Sequence, residues 1–191
     1  MASSQATKQD VVDVLVEQHR QIKAMLSEFA SAPAAERQER FEDIVRLLAV
    51  HESAEELVVH PAARDTGDQI KTVVQERLGE EKDAKQMLAE LYDLGPDHPE
   101  FGGKFTAFAQ AVVAHATREE DKEFPALRQG VPDEKRERMA RMLKAAEAMA
   151  PTRPHPRVGE SAAANMLVGP PLAVFDRARD ALRDWREGEN R

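Results

Sequence analysis

Cysteine is absent from this chain of 191 residues. That excludes disulfides, zinc-thiolate sites and thiol redox chemistry. Any metal would have to be held by histidine, carboxylate or tyrosine. Aromatic residues are scarce, at 5%, with one Trp and one Tyr. Strand formers are correspondingly few, while Ala, Glu, Leu, Arg and Lys dominate, which favours helix throughout. Long apolar runs are missing too: none approaches about 18 residues, and the opening MASSQATKQD has no apolar signal core. The sequence therefore predicts no membrane span, no secretion signal and a cytoplasmic location. Positive charge is in deficit, with 27 Lys and Arg against 35 Asp and Glu, a net charge of −8. An acidic surface repels phosphate backbones and anionic bilayers, so neither nucleic acid nor membrane is expected as a partner.

What is present is a repeat. The stretch HESAEELVVHPAAR begins at His51, and HATREEDKEFPALR begins at His115, 64 positions later. His51 aligns with His115, Glu55 with Glu119, Glu56 with Glu120 and Pro61 with Pro125. A second echo, at an offset of 62, aligns HRQIKAMLSEF from His19 with EKDAKQMLAEL from Glu81. The chain thus reads as two copies of a helical hairpin.

The apolar periodicity agrees. Thr7 with Asp10 signals an N-cap for a first helix to about Ala30, whose seam is Val12, Leu15, Ile22, Leu26 and Phe29, with His19 on it. A second helix is expected over about Ala34–Ala63, with Phe41, Ile44, Leu48, His51, Glu55, Val58 and Ala62 inward. A third over Asp68–Asp93 places Val74, Leu78, Glu81, Ala84, Leu88 and Leu91 on one face. A fourth starts after an Asp97/Glu100 capping signal, runs to about Arg128, and aligns Phe101, Phe105, Phe108, Val112, His115 and Glu119. Short connections make successive helices antiparallel neighbours. The expected fold is all-α: an up-down-up-down four-helix bundle with additional C-terminal helices. Residues 1–9 read as a flexible tail, 10–130 as the bundle, 131–150 as a further charged helix, and 151–191 as a Pro-rich linker with an amphipathic helix. That last helix, carrying Leu172, Phe175, Ala178, Leu182 and Trp185, is expected to dock on the bundle or on a partner, including a second copy of the chain.

Four otherwise apolar seams carry polar residues at one height: His19, then His51 with Glu55, then Glu81, then His115 with Glu119. A single His/Glu pair in a Glu-rich helix is weak evidence, since a lone seam histidine is more often a satisfied core residue. Two pairs in matching contexts, plus two further seam polars, point to metal. Three buried carboxylates need cations to neutralise them, and two divalent or trivalent ions would do so. Histidine nitrogen with carboxylate oxygen and no sulfur suits iron, with manganese the alternative. Glu56, Glu80 and Glu120 are expected to be solvated flanking charges, and His60 and Lys122 to sit at the bundle rim. His98 and His155 fall in breaks, and Tyr92 lies too far from Glu81 to be a ligand.

These residues resemble the hemerythrin-like family, or HHE cation-binding domains, over about Asp10–Arg128. The resemblance rests on His19, the two H-x-x-x-E pairs and the EE…P-A sequel to each. It implies a non-haem di-iron centre, oxo- or hydroxo-bridged, with Glu55 and Glu119 bridging and His19, His51 and His115 terminal. Glu81 departs from it: the family offers histidine there. A harder, more anionic ligand set stabilises ferric iron and disfavours simple reversible O2 carriage. The function expected is binding of, or reaction with, a small oxidant or gas (peroxide, O2 or NO) in oxidative or nitrosative stress. Peroxide decomposition or oxidase-like turnover would be its enzymatic form. The alternative is a non-enzymatic sensor of O2, NO, redox state or iron acting through the C-terminal helix; a third reading is a helical interaction module with incidental metal binding.

Overall fold

The computed structural model describes residues 9–149, 175–180 and 183. Helix α1 spans Val11–Ala30 and α2 spans Ala34–Ala54. A π-helical turn, π1, covers Glu55–Val59, and α3 completes the second rod over His60–Arg64. Helix α4 covers Asp68–Leu94. The fourth rod repeats the second: α5 over Phe101–Arg118, π2 over Glu119–Glu123 and α6 over Phe124–Gly130. Helix α7 follows over Asp133–Met149. No strand occurs among the described residues.

The rods form a ring, each against its sequence neighbours, and the ring closes where α1 meets α5 and α6. This is the bundle the hairpin repeat predicts. The expected seam residues of α1 and α5 are buried, and Phe29, Phe41, Phe101, Phe105 and Phe108 form the core at one end. Gly95 ends α4 at φ +74°, a left-handed conformation that glycine adopts without Cβ strain, and its N–H returns to Leu91 O.

Two expectations need correction. First, α1 is capped by Asp10, whose carboxylate accepts from Val12 N–H at 2.8 Å; Thr7 lies outside the described residues. Asp97 does not cap α5, whose N-cap is Glu100 with no side-chain bond. Second, the inward stripe of the second rod shifts after Glu55: Val59 and His60 are buried, while Val58 is only half-buried. The fourth rod does the same, burying Glu123 and Phe124 and exposing Lys122. In both, an amide reaches five residues back: His60 N–H to Glu55 O, and Phe124 N–H to Glu119 O. One extra residue per turn rotates everything after it. Pro61 and Pro125 supply a local cause. Each lacks an N–H and crowds the carbonyl four residues earlier, so a regular α turn is disfavoured there.

Helix α7, the further charged helix expected over 131–150, forms a layer of the fold. It lies on α1 and α2 and buries Met139, Ala140 and Leu143. This explains why α2 is buried on more than one face, at Val45, Leu47, Ala49 and Val50 as well as along the bundle seam. Residues 175–180 are helical, and Phe175 and Ala178 are buried. The Pro-rich stretch from Pro151, Leu172, Leu182 and Trp185 lie outside the described residues.

Candidate metal centre

The six seam polars meet. His19, His51, Glu55 and Glu119 form one group with ligand-type atoms within 4.8 Å of one another, and Glu55, Glu81 and His115 form a second that shares Glu55. Four rods each contribute, so α1, α2 with π1, α4, and α5 with π2 all converge at one level. Both π turns begin on the shared carboxylates, Glu55 and Glu119. The wider turn leaves room at the point where each rod supplies its central carboxylate.

Ring orientation follows from the outer hydrogen bonds. His19 Nδ1 donates to Glu120 Oε1 at 2.8 Å, His51 Nδ1 to Gln18 Oε1 at 2.8 Å, and His115 Nδ1 to Glu80 Oε2 at 3.1 Å. Each bond engages Nδ1 and turns Nε2 to the centre, where Nε2 can coordinate once it carries no proton. There His19 Nε2 lies 3.3 Å from Glu119 Oε2, His115 Nε2 3.3 Å from Glu119 Oε1, and His51 Nε2 3.4 Å from Glu55 Oε1. Glu119 thus faces a histidine with each oxygen.

Glu80 and Glu120 are therefore not idle surface charges. Each stands between a histidine and cations: Lys23 binds Glu120 at 3.0 Å, and Arg77 and Arg118 both lie 2.9 Å from Glu80. Glu56 pairs instead with Arg179 at 2.6 Å. For Glu80 the repeat offered a signal, because Gln18 and Glu80 share the offset of 62 that relates His19 to Glu81.

His60 is the second correction to the site. It is buried, not at the rim, with Nε2 2.6 Å from Glu81 Oε1 and Nδ1 2.8 Å from Glu123 Oε1. His60, Glu119 and Glu123 make a third group of metal-type donors. Only the register shift at π1 and π2 brings His60 and Glu123 inside. Proline at the next position was the signal available.

The electrostatics fit bound cations. Glu55, Glu81, Glu119 and Glu123 are all fully buried, and Glu52 is buried beside them. Burial pushes the Glu55 carboxyl well up, and the neighbouring Glu119 pushes it further; Glu52 rises to about 8, through burial and Glu81. Burial works against ionised Glu119 as well, yet His115 and His19 hold it below the usual carboxylate range. Burial and the adjacent His19 lower His51. For His115 burial is outweighed by Glu119, and the imidazole rises to about 9; for His60 burial is outweighed by the bonds to Glu123 and Glu81, and the ring rises to about 10. Carboxylates this close cannot all be anionic without compensation. Glu55 Oε1 and Oε2, Glu119 Oε1 and Oε2, Glu81 Oε2, His19 Nε2 and His115 Nε2 are buried and lack hydrogen-bond partners. Their unmet demand points inward, and nitrogen with carboxylate oxygen is a donor set that takes a transition-metal ion. The residues present fit a metal centre.

A cavity of about 270 Å³ adjoins the three histidines, Glu52 and Glu81, with Ile22, Leu48, Val112 and Met87 on its walls. It gives a small molecule space beside the cluster. No helix among the described residues is long and apolar enough to cross a membrane.

Several known proteins are similar to this chain. The family model for the hemerythrin HHE cation binding domain matches residues 10–127. A DNA nickase from Nostoc sp. is 30% identical over 73% of this chain; the chain spans only 40% of that relative's length. A hemerythrin-like protein of Schizosaccharomyces pombe is 23% identical over 92% of this chain and 87% of its own. Among solved structures, a hemerythrin HHE cation binding domain-containing protein from Mycobacterium kansasii superposes with a TM-score of 0.66 over 74% of this chain and 87% of that one, at 21% identity. The matched span takes in the first three rods, the fourth as far as Leu127 and every residue of the His/Glu cluster, and on that ground the chain belongs to the hemerythrin HHE cation-binding domain family.

Proposed function

We propose that the chain is a cytoplasmic di-iron protein that binds or reacts with a small oxidant (peroxide, O2 or NO) in oxidative or nitrosative stress. The observation that carries this reading is the convergence of three histidine Nε2 atoms on two shared, fully buried carboxylates. Glu55 and Glu119 would bridge two ions; His19 and His51 would complete one position, His115 and Glu81 the other. Bound iron would supply redox equivalents and an open position for the oxidant. The protein's own part is to hold the donors rigid through Glu120, Gln18 and Glu80, and to admit only small molecules through a cavity walled by Ile22, Leu48 and Val112. Manganese meets the same donors and is the alternative ion.

Metal analysis and stopped-flow peroxide assays on iron-loaded protein test the reading. About two iron ions per chain are expected, as a donor set of six supports, with peroxide consumed faster than by free iron. Fewer than one ion per chain would sink the di-metal reading, and two ions without turnover would sink its enzymatic form.

A second reading, a sensor acting through the C-terminal helix, has its own observation. Phe175 is buried with Lys85 Nζ 5.1 Å from its ring centroid, and Arg179 holds Glu56, one residue after the shared Glu55. Removing residues after Pro151 should then change oligomeric state or partner binding when the iron changes state; no change would remove its basis. DNA nicking, the activity in the Nostoc relative's name, is a poor fit to a chain of net charge −8, because phosphate backbones are bound by cationic surfaces.

A further inference from the structure

Glu81 occupies the place where the repeat offers His19 as the model, and His60 occupies the place where it offers Phe124. The two exceptions touch. In one half of the site Phe124 stacks on His19, ring centroids 5.4 Å apart and planes 17° apart. In the other half His60 Nε2 donates to Glu81 Oε1 at 2.6 Å. One half thus pairs an aromatic with a histidine ligand, and the other pairs a histidine with a carboxylate. Glu123, standing where the repeat has Val59, completes the exchange by accepting from His60 Nδ1 at 2.8 Å.

The consequence is geometric. A glutamate has two equivalent oxygens and a flexible stem, and left alone it can chelate one ion or swing away. With Oε1 held by His60, only Oε2 remains free, and it is buried without a hydrogen-bond partner. Lys85 Nζ stands 3.7 Å from that oxygen, an ion pair rather than a competing hydrogen bond. His60 itself is pinned by Glu123, so its ring cannot turn. We propose that His60, anchored by Glu123, is a positioning residue that makes Glu81 a one-oxygen metal ligand, and that His60 and Glu81 form an exchanged pair standing in for the Phe124 and His19 of the other half. This rests on the di-metal reading above.

The exchange can be undone by mutation. Cobalt(II) and anaerobic iron(II) titrations, read by bound metal and by the cobalt d–d spectrum, follow each ion without any turnover. In the His60→Phe variant, affinity for the second ion should fall about tenfold to a hundredfold, the usual cost of losing an outer hydrogen bond to a ligand, with a changed cobalt spectrum. The double variant His60→Phe/Glu81→His rebuilds the Phe124 and His19 arrangement and should recover the second ion to within a few-fold of the wild type. His60→Gln keeps a donor toward Glu81 and should lose less than His60→Phe. A coupling between the two sites well beyond additivity is the signature. The count of hyperfine-shifted, exchangeable histidine N–H protons in the cobalt protein should be three, from His19, His51 and His115, and unchanged in His60→Gln; a fourth that disappears would make His60 a ligand and overturn the positioning role. Wild-type affinity and spectrum in His60→Phe would overturn it too, as would a double variant no better than the single one. Thermal unfolding of the metal-free variants separates lost binding from lost folding, and His60→Gln carries the test if His60→Phe does not fold. A wild-type chain that takes up no metal would instead overturn the di-metal reading itself.

Discussion

The two halves of the centre are built from the same hairpin and have drifted in different directions. Around His19 the chain uses a histidine donor, an aromatic neighbour in Phe124, and a half-exposed relay through Glu120 to Lys23. Around Glu81 it uses a carboxylate donor, a buried histidine in His60, and Lys85 shared among Glu52, Glu56 and Glu81 at 3.5, 3.9 and 3.7 Å. The same split appears one layer out. His51 leans on the neutral Gln18, whereas His115 leans on Glu80, itself paired with Arg77 and Arg118. Duplication keeps backbone positions in register, but charge need only balance over the whole cluster. The half with more carboxylates has therefore gathered the extra cations and the His60 bond. The lesson is that one change within the cluster is matched by its contact partners, and those partners identify themselves as departures from the repeat.

The comparison can be broken at its shared elements or sharpened at its differences. The largest effect should come from Glu119→Ala, which removes a carboxylate serving both halves: both ions should be lost in metal analysis, where removal of His115 alone should mainly cost one. Next is Phe124→Ala, which should destabilise the fold by about 3–5 kcal/mol in urea unfolding, as expected for a buried aromatic. Glu80→Ala against Gln18→Ala compares the two outer bonds directly. The Glu80 change should weaken metal binding by about tenfold to a hundredfold, and more than the Gln18 change, because it also leaves the buried Arg77 with only the longer ion pair to Glu76 at 3.6 Å.

Charge in the His60 half gives a pH test on metal-free protein. His60 has a folded value of about 10 against an ordinary 6.5, so its contribution is fully present below pH 6.5 and is lost as pH rises through about 10. Glu52, raised to about 8, also favours the folded state at low pH and ceases to as pH rises through that value. Metal-free protein should therefore unfold at lower temperature at pH 10 than at pH 6, and His60→Phe should flatten that fall. An unchanged slope would argue that His60 is neutral. The smallest effect should be Arg179→Ala, which removes a partly exposed ion pair with Glu56 and should cost under about 1 kcal/mol.

Much of this was legible before folding was considered. The helix bounds, the seams of α1 and α5, and the six residues that converge follow from periodicity and repeat. The outer residues did not, for two physical reasons. A regular 3.6-residue count carries the stripe past Glu55 to Val58, yet the π turn moves it to Val59 and His60. And Glu80 and Glu120 look like surface charges on their own helices; only the neighbouring rods make them acceptors for His115 and His19. Pro61 and Pro125 carried the first signal, and for Glu80 the offset pairing with Gln18 carried the second.

By itself the sequence determined which faces must be buried and which donors share a level, because helical spacing is local and the energetic demand of buried carboxylates is independent of partners. Only the tertiary structure decided which outer residue bonds which member of the cluster. His19 and Glu120 are 101 residues apart and His60 and Glu123 are 63 apart, so their bonds exist only once the rods have come together and both π turns have rotated their residues inward.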